Sequence, residues 1–548
     1  MMNYSQALAH TLAARGARDA FGLMGSGNLR LINHLLHDHG VAFHSSRHEA
    51  GAVAAADGYA RSTDRLGVAL VTQGPGFTNA LTSLVTARRA GTPLLLFMGD
   101  SSRVRQPRQP FARVQALPQS TVLAALDVPT VRPRPGTAAA DLDRAIDTAI
   151  EQSMPVAVAL PAEYESAPSP LPQQAPVRPR HDMPVAPEPD QIEAAARVLR
   201  AARRPVVLAG LGAVRAQAKE ALQGVAEQLG ALLCTSLRAA GLFAGHPHDV
   251  GISGGFAPRA VHAALAQADC VLAVGASLNE FTSDKGALFA EAEIIHCDAD
   301  PTAFADQGPP ALRITGDARC TAAALLERLR ADGTSSSTSE HDPVVQHSLG
   351  VEGGDEFDDT SGAGVVDPRA LCVELDALLP RERTLVVDGG HFSHFVVRHL
   401  SVSAPGQLHY MLDFGAVGGA MGAAIGAAIG RPDSATTLFI GDGGFFMTLG
   451  DLDLAVRERL PLLVVVMNDR GYGAETELLR HAGFDPQPAM FETPDLSAVA
   501  ASLGCEAASI TALEDLAKVA DGVRAGLDGP LVLDCRLSRD VSSGLIGR

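Results

Sequence analysis

Two aspartates, each at the end of an apolar strand with a single helix between them, restrict this chain more than any other feature. Residues 436–441 (Thr-Thr-Leu-Phe-Ile-Gly) read as a strand that runs into Gly441-Asp442-Gly443, and 461–467 (Pro-Leu-Leu-Val-Val-Val-Met) read as a second strand that runs into Asn468-Asp469. The stretch Leu449 to Arg459 between them has helical spacing, which makes a strand–helix–strand unit. Units of this kind leave their loops at the carboxyl ends of parallel strands, where α/β proteins bind ligands. Asp442 and Asp469, 469 − 442 = 27 positions apart, then face one ligand region. Two hard oxygen donors beside a glycine-exposed backbone suit a magnesium ion and a diphosphate.

The N-terminal third carries a second constellation. Arg47-His48-Glu49 precedes a small-residue helix, Ala50 to Ala60. A strand (Gly67 to Thr72), the turn Gln73-Gly74-Pro75-Gly76, a helix from about Thr78 to Arg89 and the strand Pro93 to Met98 follow. A glutamate opening a helix is ordinarily a first-turn charge that favours the helix dipole. Here it stands in the order RHE, GYAR (58–61), GPGFTN (74–79), followed far downstream by GDG and ND. That order resembles the thiamine-diphosphate (ThDP) enzymes of the acetolactate synthase, pyruvate oxidase and benzoylformate decarboxylase group, from about Phe21 to Leu533. The resemblance implies three doubly wound parallel-sheet α/β domains: a pyrimidine-binding domain over 1–165, a central domain over 190–332 and a diphosphate-binding domain over 365–548, with a flexible linker at 333–364.

Composition agrees with a chain of this size and kind. A length of 548 residues calls for roughly three domains of ~150–200 residues. A net charge of −18 argues against a nucleic-acid-binding face and against a polybasic membrane patch. The seven cysteines lie scattered in apolar stretches with no CxxC pair or zinc spacing, which reads as structural thiols in a reducing compartment. Met-Met-Asn-Tyr-Ser-Gln has no leader pattern, so a cytoplasmic protein is expected. The small-residue run Gly415 to Gly430 holds six glycines in 16 positions and is expected to form a tightly packed helix against the cofactor, not a membrane span.

Prolines crowd residues 161–189 as an extended connector, and Gly333 to Gly364 is rich in Ser, Thr, Gly and acid. Between them the strands Pro205 to Ala209, Cys270 to Val274 and Ile294 to Asp298 indicate another parallel α/β unit. Gly210-Leu211-Gly212 lacks the third glycine and the later acid of a dinucleotide fingerprint, so it reads as turn chemistry and FAD is not expected.

The resemblance also assigns roles. Glu49 would hydrogen-bond the aminopyrimidine and favour its imino tautomer, which deprotonates the thiazolium carbon to a carbanion. In Gly419-Ala420-Met421-Gly422, Met421 would wedge the cofactor into its bent form and the Gly419 carbonyl would contact the aminopyrimidine. Mg2+ would be held by Asp442, Asp469 and a carbonyl near Gly471, with the diphosphate on the amides of Gly443 and Gly444 and on His391. The family more often has asparagine at 469, and Arg470 is the candidate to offset the extra charge.

The substrate side is less defined. Glu475, in Gly-Tyr-x-x-Glu, stands where pyruvate and indolepyruvate decarboxylases carry a catalytic glutamate, against a bland reading as a solvent-facing helix acid. Ser26 occupies the place of their aspartate, and Ala112-Arg113 the place of their paired histidines. Gln73 is expected to approach the reacting carbon. Arg113, where acetolactate synthases have Phe-Gln-Glu against Phe111-Ala112-Arg113 here, could pair with a substrate carboxylate or phosphonate or be a solvated loop charge like Arg103, Arg105 and Arg108. The expected activity is non-oxidative decarboxylation of a 2-oxo acid. The alternatives are an acetolactate synthase-type carboligase and a ThDP-binding protein without turnover. The active sites are expected at subunit interfaces of a homo-oligomer, with Glu49 and Asp442 reaching one cofactor from different chains.

Overall fold

The computed structural model describes residues 2–100, 114–171, 185–303, 311–331 and 357–544. Arg113 and its neighbours Arg103, Arg105 and Arg108, most of the proline-rich connector and most of the acidic linker lie outside these residues.

Apart from a two-residue antiparallel pair, Met2–Asn3 with Pro168–Ser169, the strands gather into three six-stranded sheets among the described residues. The first holds β1 (Asp19–Gly22), β2 (Ala42–Ser45), β3 (Gly67–Val71), β4 (Leu94–Asp100), β5 (Thr130–Val131) and β6 (Pro155–Pro161) in the order β2-β1-β3-β4-β6-β5. The central sheet holds β7 (Pro205–Ala209), β8 (Leu232–Thr235), β9 (Asp249–Ile252), β10 (Cys270–Val274), β11 (Glu293–Asp298) and β12 (Leu312–Thr315) in the order β9-β8-β7-β10-β11-β12. The third holds β13 (Arg383–Val387), β14 (Leu408–Tyr410), β15 (Ala435–Gly441), β16 (Leu462–Asn468), β17 (Glu506–Ile510) and β18 (Leu531–Arg536) in the order β14-β13-β15-β16-β18-β17. Pairings within these sheets are parallel. Central strands such as Val206-Val207-Leu208 and Val464-Val465-Val466 are buried on both faces, as continuous branched-apolar runs must be when helices cover both sides.

The first and third sheets share one topology, and the central sheet has the order in which doubly wound folds bind dinucleotides. At that sheet's switch point, however, Gly210 N–H donates to the Val274 carbonyl at 2.9 Å and Gly212 N–H to the Gly275 carbonyl at 3.0 Å. A Cβ on Gly210 would overlap the Gly275 carbonyl. The two loops close on each other, and the amides that would face a diphosphate are engaged by backbone.

Helix α1 (Glu49–Thr63) follows β2, and helix α2 (Pro75–Ala90) follows β3 with Pro75 in its first turn. The short helix α3 (Leu211–Arg215) follows β7. In the third domain come α4 (Gly419–Gly430), α5 (Asp442–Met447) and α6 (Gly473–His481). The expected single helix from Leu449 to Arg459 is instead α5 from Asp442, a 3-10 turn at Leu449–Asp451 and a separate helix at Leu452–Arg457. The glycine pair after Asp442 starts the helix earlier than apolar spacing suggested, because Asp442 itself occupies the first helical position, where a carboxylate suits the dipole.

The glycine-rich run packs against protein: α4 lies along α1 of the first domain. A Cβ on Gly426 would overlap the Ala55 carbonyl, and one on Gly58 would overlap the Ala423 carbonyl. Six of the seven cysteines are buried and all are free thiols, with burial pushing Cys270 up to about 12. No helix among the described residues is long and apolar enough to cross a membrane.

The helix contact gives a direct test. Gly426→Val is expected to lower stability by about 1–3 kcal/mol or more, because the overlap is with backbone that cannot rotate away. Gly522→Ala, in a helix where a Cβ meets no atom within 4 Å, is expected to raise stability by up to about 1 kcal/mol. Denaturant unfolding of the two variants against the parent measures both.

Candidate functional site

Asp442 leaves β15 and opens α5, with 1 % of its surface exposed. One carboxyl oxygen accepts from Gly443 N–H at 3.0 Å and the other from Gly471 N–H at 3.2 Å. Asp469 follows β16 directly and is also buried. Burial pushes Asp442 up to about 6, against the two glycine N–H donors. Burial, with the negative charge of Asp442 next, pushes Asp469 up to about 7. The two carboxyls therefore sit close enough to repel, in a place where a cation would relieve both.

The loop after β16 is fixed by Asn468. Its amide donates to Asp534 on β18 at 2.6 Å, and its oxygen accepts from Arg470 N–H and the Thr493 hydroxyl, both at 3.2 Å. Arg539 holds the same loop from the other side by donating to the carbonyls of Asp469, Arg470 and Phe491. Arg539 lowers the Asp469 carboxyl more than Arg470 does. Sequence reasoning named Arg470 as the compensating charge. It passed over Arg539, 70 positions away, because only the fold brings that residue to the loop.

His391 is buried 3.7 Å from the Asp469 carboxyl, and burial, against the raising effect of Glu477, holds its imidazole below the usual value. Gly473, which opens α6, is wedged between this ring and Asp469, where a Cβ would strike both. The ring of Tyr472 lies across Gly443, so that position also has no room for a side chain. A small cavity beside these groups is lined by His391, Asp469, Gly471, Glu477, Arg480 and Arg539. Asp388, three residues ahead of His391, accepts from Gly418 N–H with both oxygens at 3.0 and 2.8 Å, and burial pushes it up to about 7. It ties the entry of α4 to β13. The Asp-Gly-Gly-His run was visible in sequence, but only its histidine was singled out.

In the first domain Glu49 opens α1, is 9 % exposed, and accepts from Asn79 of α2 at 3.0 Å. Gly76, in the first turn of α2, approaches the Glu49 carboxyl so closely that a Cβ there would lie 3.2 Å from it. Gln73 is buried, donates to Gln115 at 2.8 Å and accepts from the Thr72 hydroxyl at 2.9 Å. Its side-chain oxygen lies against both Gly27 and Gly99, which places it beside the half-buried turn that carries Ser26. Gly74, at φ +60°, has its N–H bonded to Gln119 at 2.9 Å and its α-carbon against the Gln115 carbonyl. That close approach admits only glycine.

A cleft of about 620 Å³ runs between the two domains where α1 and α4 begin. Arg47, His48 and Asn79 line it on one side, and Val417, Gly418 and Gly419 on the other. Gly419 has open space at its α-carbon, whereas Met421 is fully enclosed in the apolar cluster under α4. Glu475, in the first turn of α6, is exposed; it is Glu477 that turns in toward His391 and accepts from Ser543. Among the described residues, no hydrogen bond or ion pair joins Glu49 to Asp442, Asp469 or Met421 within one chain, and no group of three or more His, Cys, Asp or Glu gathers as a metal site.

The family models matched by this chain are "Thiamine pyrophosphate enzyme, N-terminal TPP binding domain" over residues 2–120, the central domain of the same family over 192–326 and its C-terminal TPP binding domain over 388–535. A probable 2-ketoarginine decarboxylase of Pseudomonas aeruginosa is 30% identical over 538 residues, covering 95% of this chain and 91% of that protein. A sulfoacetaldehyde acetyltransferase of Alcaligenes xylosoxydans xylosoxydans is 27% identical over 549 residues, with 94% and 89% covered. An acetolactate synthase of Mycobacterium avium is 27% identical over 560 residues, with 96% and 86% covered.

The carboxylate pair predicts a pH dependence for the cation-free protein. The native carboxyls keep protons to about pH 6 and 7, whereas unfolded aspartates release theirs near ~4. Between those values the unfolded state binds fewer protons, so stability falls as pH rises through that window. Asp469→Asn removes one of the repelling charges. In excess chelator its Tm is expected to exceed the parent's at pH 8, with the difference closing toward pH 4, as calorimetry at the two pH values would read.

Proposed function

We propose, from the premise that this chain belongs to the thiamine pyrophosphate-dependent enzymes, that it is a ThDP- and Mg2+-dependent non-oxidative decarboxylase of a 2-oxo acid. The observation that carries this is the pair of buried, mutually repelling carboxylates beside glycine amides. Mg2+ binds through one or two carboxylates and keeps phosphate oxygens and waters for its remaining positions, so a two-aspartate set with a backbone carbonyl fits it. Asp442, Asp469 and the Gly471 carbonyl would hold the ion. The amides of Gly443 and Gly444, together with His391, would take the diphosphate, at positions where close neighbours forbid side chains.

When bound, ThDP supplies a nucleophilic carbon and an electron sink. Glu49 holds and moves a proton at the aminopyrimidine, and the Asn79 amide fixes the direction of its carboxyl. Gly419, which opens onto the cleft, offers its carbonyl to the same ring, and Met421 supports α4 from beneath as the candidate wedge. Gln73, locked between Thr72 and Gln115, orients the substrate beside Ser26. Glu475 stands one helical turn beyond the metal loop and in contact with solvent, which suits a group that relays a proton from water to the product carbon. Arg113 remains the candidate for the substrate's charged group.

In line with the resemblance, in which the pyrimidine and diphosphate domains pair across an interface, the proposed active unit is a homodimer in which each site draws Glu49 from one subunit and Asp442 from the other. Val417, Phe446, Met447 and Tyr472, each more than 40 % exposed on the diphosphate side, form the apolar surface a second copy would cover. The second reading is a carboligase that joins the same decarboxylated fragment to another carbonyl. It is favoured by the relatives named acetolactate synthase and sulfoacetaldehyde acetyltransferase.

A panel of 2-oxo acids separates the readings: carbon dioxide with an aldehyde is expected, carbon dioxide with a hydroxyketone indicates the carboligase, and no turnover indicates a binding protein. ThDP binding by calorimetry is expected only with a divalent ion and to be lost in Asp442→Ala. Glu49→Gln is expected to slow turnover of every substrate by about 10²–10⁴-fold. Glu475→Gln is expected to retain ThDP binding while slowing a step after substrate addition in single-turnover product release. Wild-type turnover in Glu475→Gln would make it a surface acid and shift the assignment to carboligation. Sedimentation of a fully active monomer would overturn the shared site.

A further inference from the structure

At the end of α1 remote from Glu49, the three domains meet around a second cavity of about 560 Å³. The first domain contributes Arg61 and Arg65, the central domain Arg215 and Arg238, and the third domain Arg431. Asp64 is the one carboxylate in its lining. Two further aspartates stand behind: Arg61 pairs with Asp57 and with Asp413, each at 2.8 Å. Leaving Arg215 aside, four arginines against three aspartates leave a local excess of 4 − 3 = 1 positive charge, in a chain whose net charge is −18. Among the described residues, no carboxylate lies within ion-pairing distance of Arg65, Arg238 or Arg431.

These cations are held in place. Arg238 donates to the Ala90 carbonyl at 2.7 Å and Arg215 to the Gly91 carbonyl at 3.2 Å, so both guanidinium groups are anchored at the carboxyl end of α2, where the helix dipole favours them. Arg238 keeps further N–H groups for a ligand. His409, buried and 3.0 Å from the Ser62 hydroxyl, marks where the cations converge: burial, with Arg61, Arg431 and Arg238, pushes it down to about 3. It therefore adds no charge of its own. Arg238 is likewise pushed down, by burial and then by Arg61. An anion would relieve this crowding. Leu211, Val214 and Leu408 give the cavity an apolar wall, and its volume matches that of a small-molecule site. Gly210, Gly275 and Asp298, at the carboxyl ends of the central strands, do not line this cavity, which the central domain reaches through Leu211, Val214 and Arg215 of α3.

We propose that this three-domain cavity binds a small phosphorylated molecule, its phosphate oxygens taken by Arg65, Arg238 and Arg431 and the remainder of the molecule lying on the apolar wall. Planar guanidinium groups bind phosphate oxygens in pairs, and several converging from different elements suit a ligand with two or more anionic groups. The occupant draws all three domains onto α1, whose other end carries Glu49, so the site is placed to regulate the chain as well as to hold a ligand.

The test uses the full chain saturated with ThDP and Mg2+, so that the diphosphate loop is filled. Calorimetric titration with ADP, inorganic diphosphate and citrate is expected to give one phosphate-binding event per chain that weakens with salt. Arg238→Gln and Arg431→Gln are each expected to weaken it at least tenfold while leaving ThDP affinity unchanged. Arg65→Gln, on an exposed side chain, repeats the measurement where folding is not at risk. Tighter binding of ADP than of diphosphate identifies a nucleotide-like source, and equal binding identifies the phosphates as the recognised part; both support the site. A preference for citrate over either phosphate, no binding at millimolar concentration, or binding untouched by all three substitutions would overturn it.

Discussion

Two helices of small residues, α1 and α4, fix the rest of the molecule, because their contact is backbone against backbone. Gly58 lies on Ala423, Gly426 on Ala55, and Gly422 on Gly51 and Ala54. Side chains at these points would force the first and third domains apart and change the width of the cleft between Asn79 and Gly419. Protein interiors transmit such displacements because they are close-packed. The alanine- and glycine-rich character of both helices, weak as helix propensity goes at glycine, is therefore a packing requirement. It sets how far Glu49 stands from any group on the diphosphate domain.

Around that frame the electrostatics are arranged by burial more than by surface pairing. Asp388, Asp442 and Asp469 are all pushed toward neutrality by desolvation, and each is held by N–H donors or by a neighbouring cation. Asp388 meets its need within the chain, with two bonds to Gly418. Asp442 likewise accepts from two glycine N–H groups, whereas Asp469 is raised further by the charge of Asp442 and only partly lowered by Arg539. Among the cations, Arg61 is matched by two aspartates, whereas Arg238 is anchored on the Ala90 carbonyl.

What could be read in the sequence followed from local pattern. Strands such as Pro205–Ala209 and Cys270–Val274 were legible to the residue, since apolar runs bounded by turn residues have few alternatives. Glycines before and after Asp442 marked the ligand loop, and Glu49 lay at a helix start as its neighbours implied. Contacts made by chain segments far apart were not legible. Arg539 reaching the Asp469 loop, Asn79 aiming Glu49, and Asp534 holding Asn468 each depend on strand order, which no short motif records. The glycine run from 415 to 430 was expected to form a tightly packed helix; the helix packs closely on α1, and composition showed that close approach was needed but not that α1 is what approaches. Glu475 and Glu477 differ by two positions on one helix, and only the helix's orientation decides that the second turns toward His391.

The repeated topology explains why the central contact has the form it does. α1 joins the second and third strands of the first domain in chain order, and α4 joins the second and third strands of the third domain, so the two helices are equivalent elements of one architecture. Their contacts are reciprocal: Ala55 meets Gly426 and Gly58 meets Ala423, a spacing of three residues on each side. Reciprocity of that kind is what a two-fold relation between like units produces. It runs the helices side by side in one direction and brings both N-termini to the same cleft, which His48 and Ala50 line at the start of one helix and Gly418 and Gly419 at the start of the other.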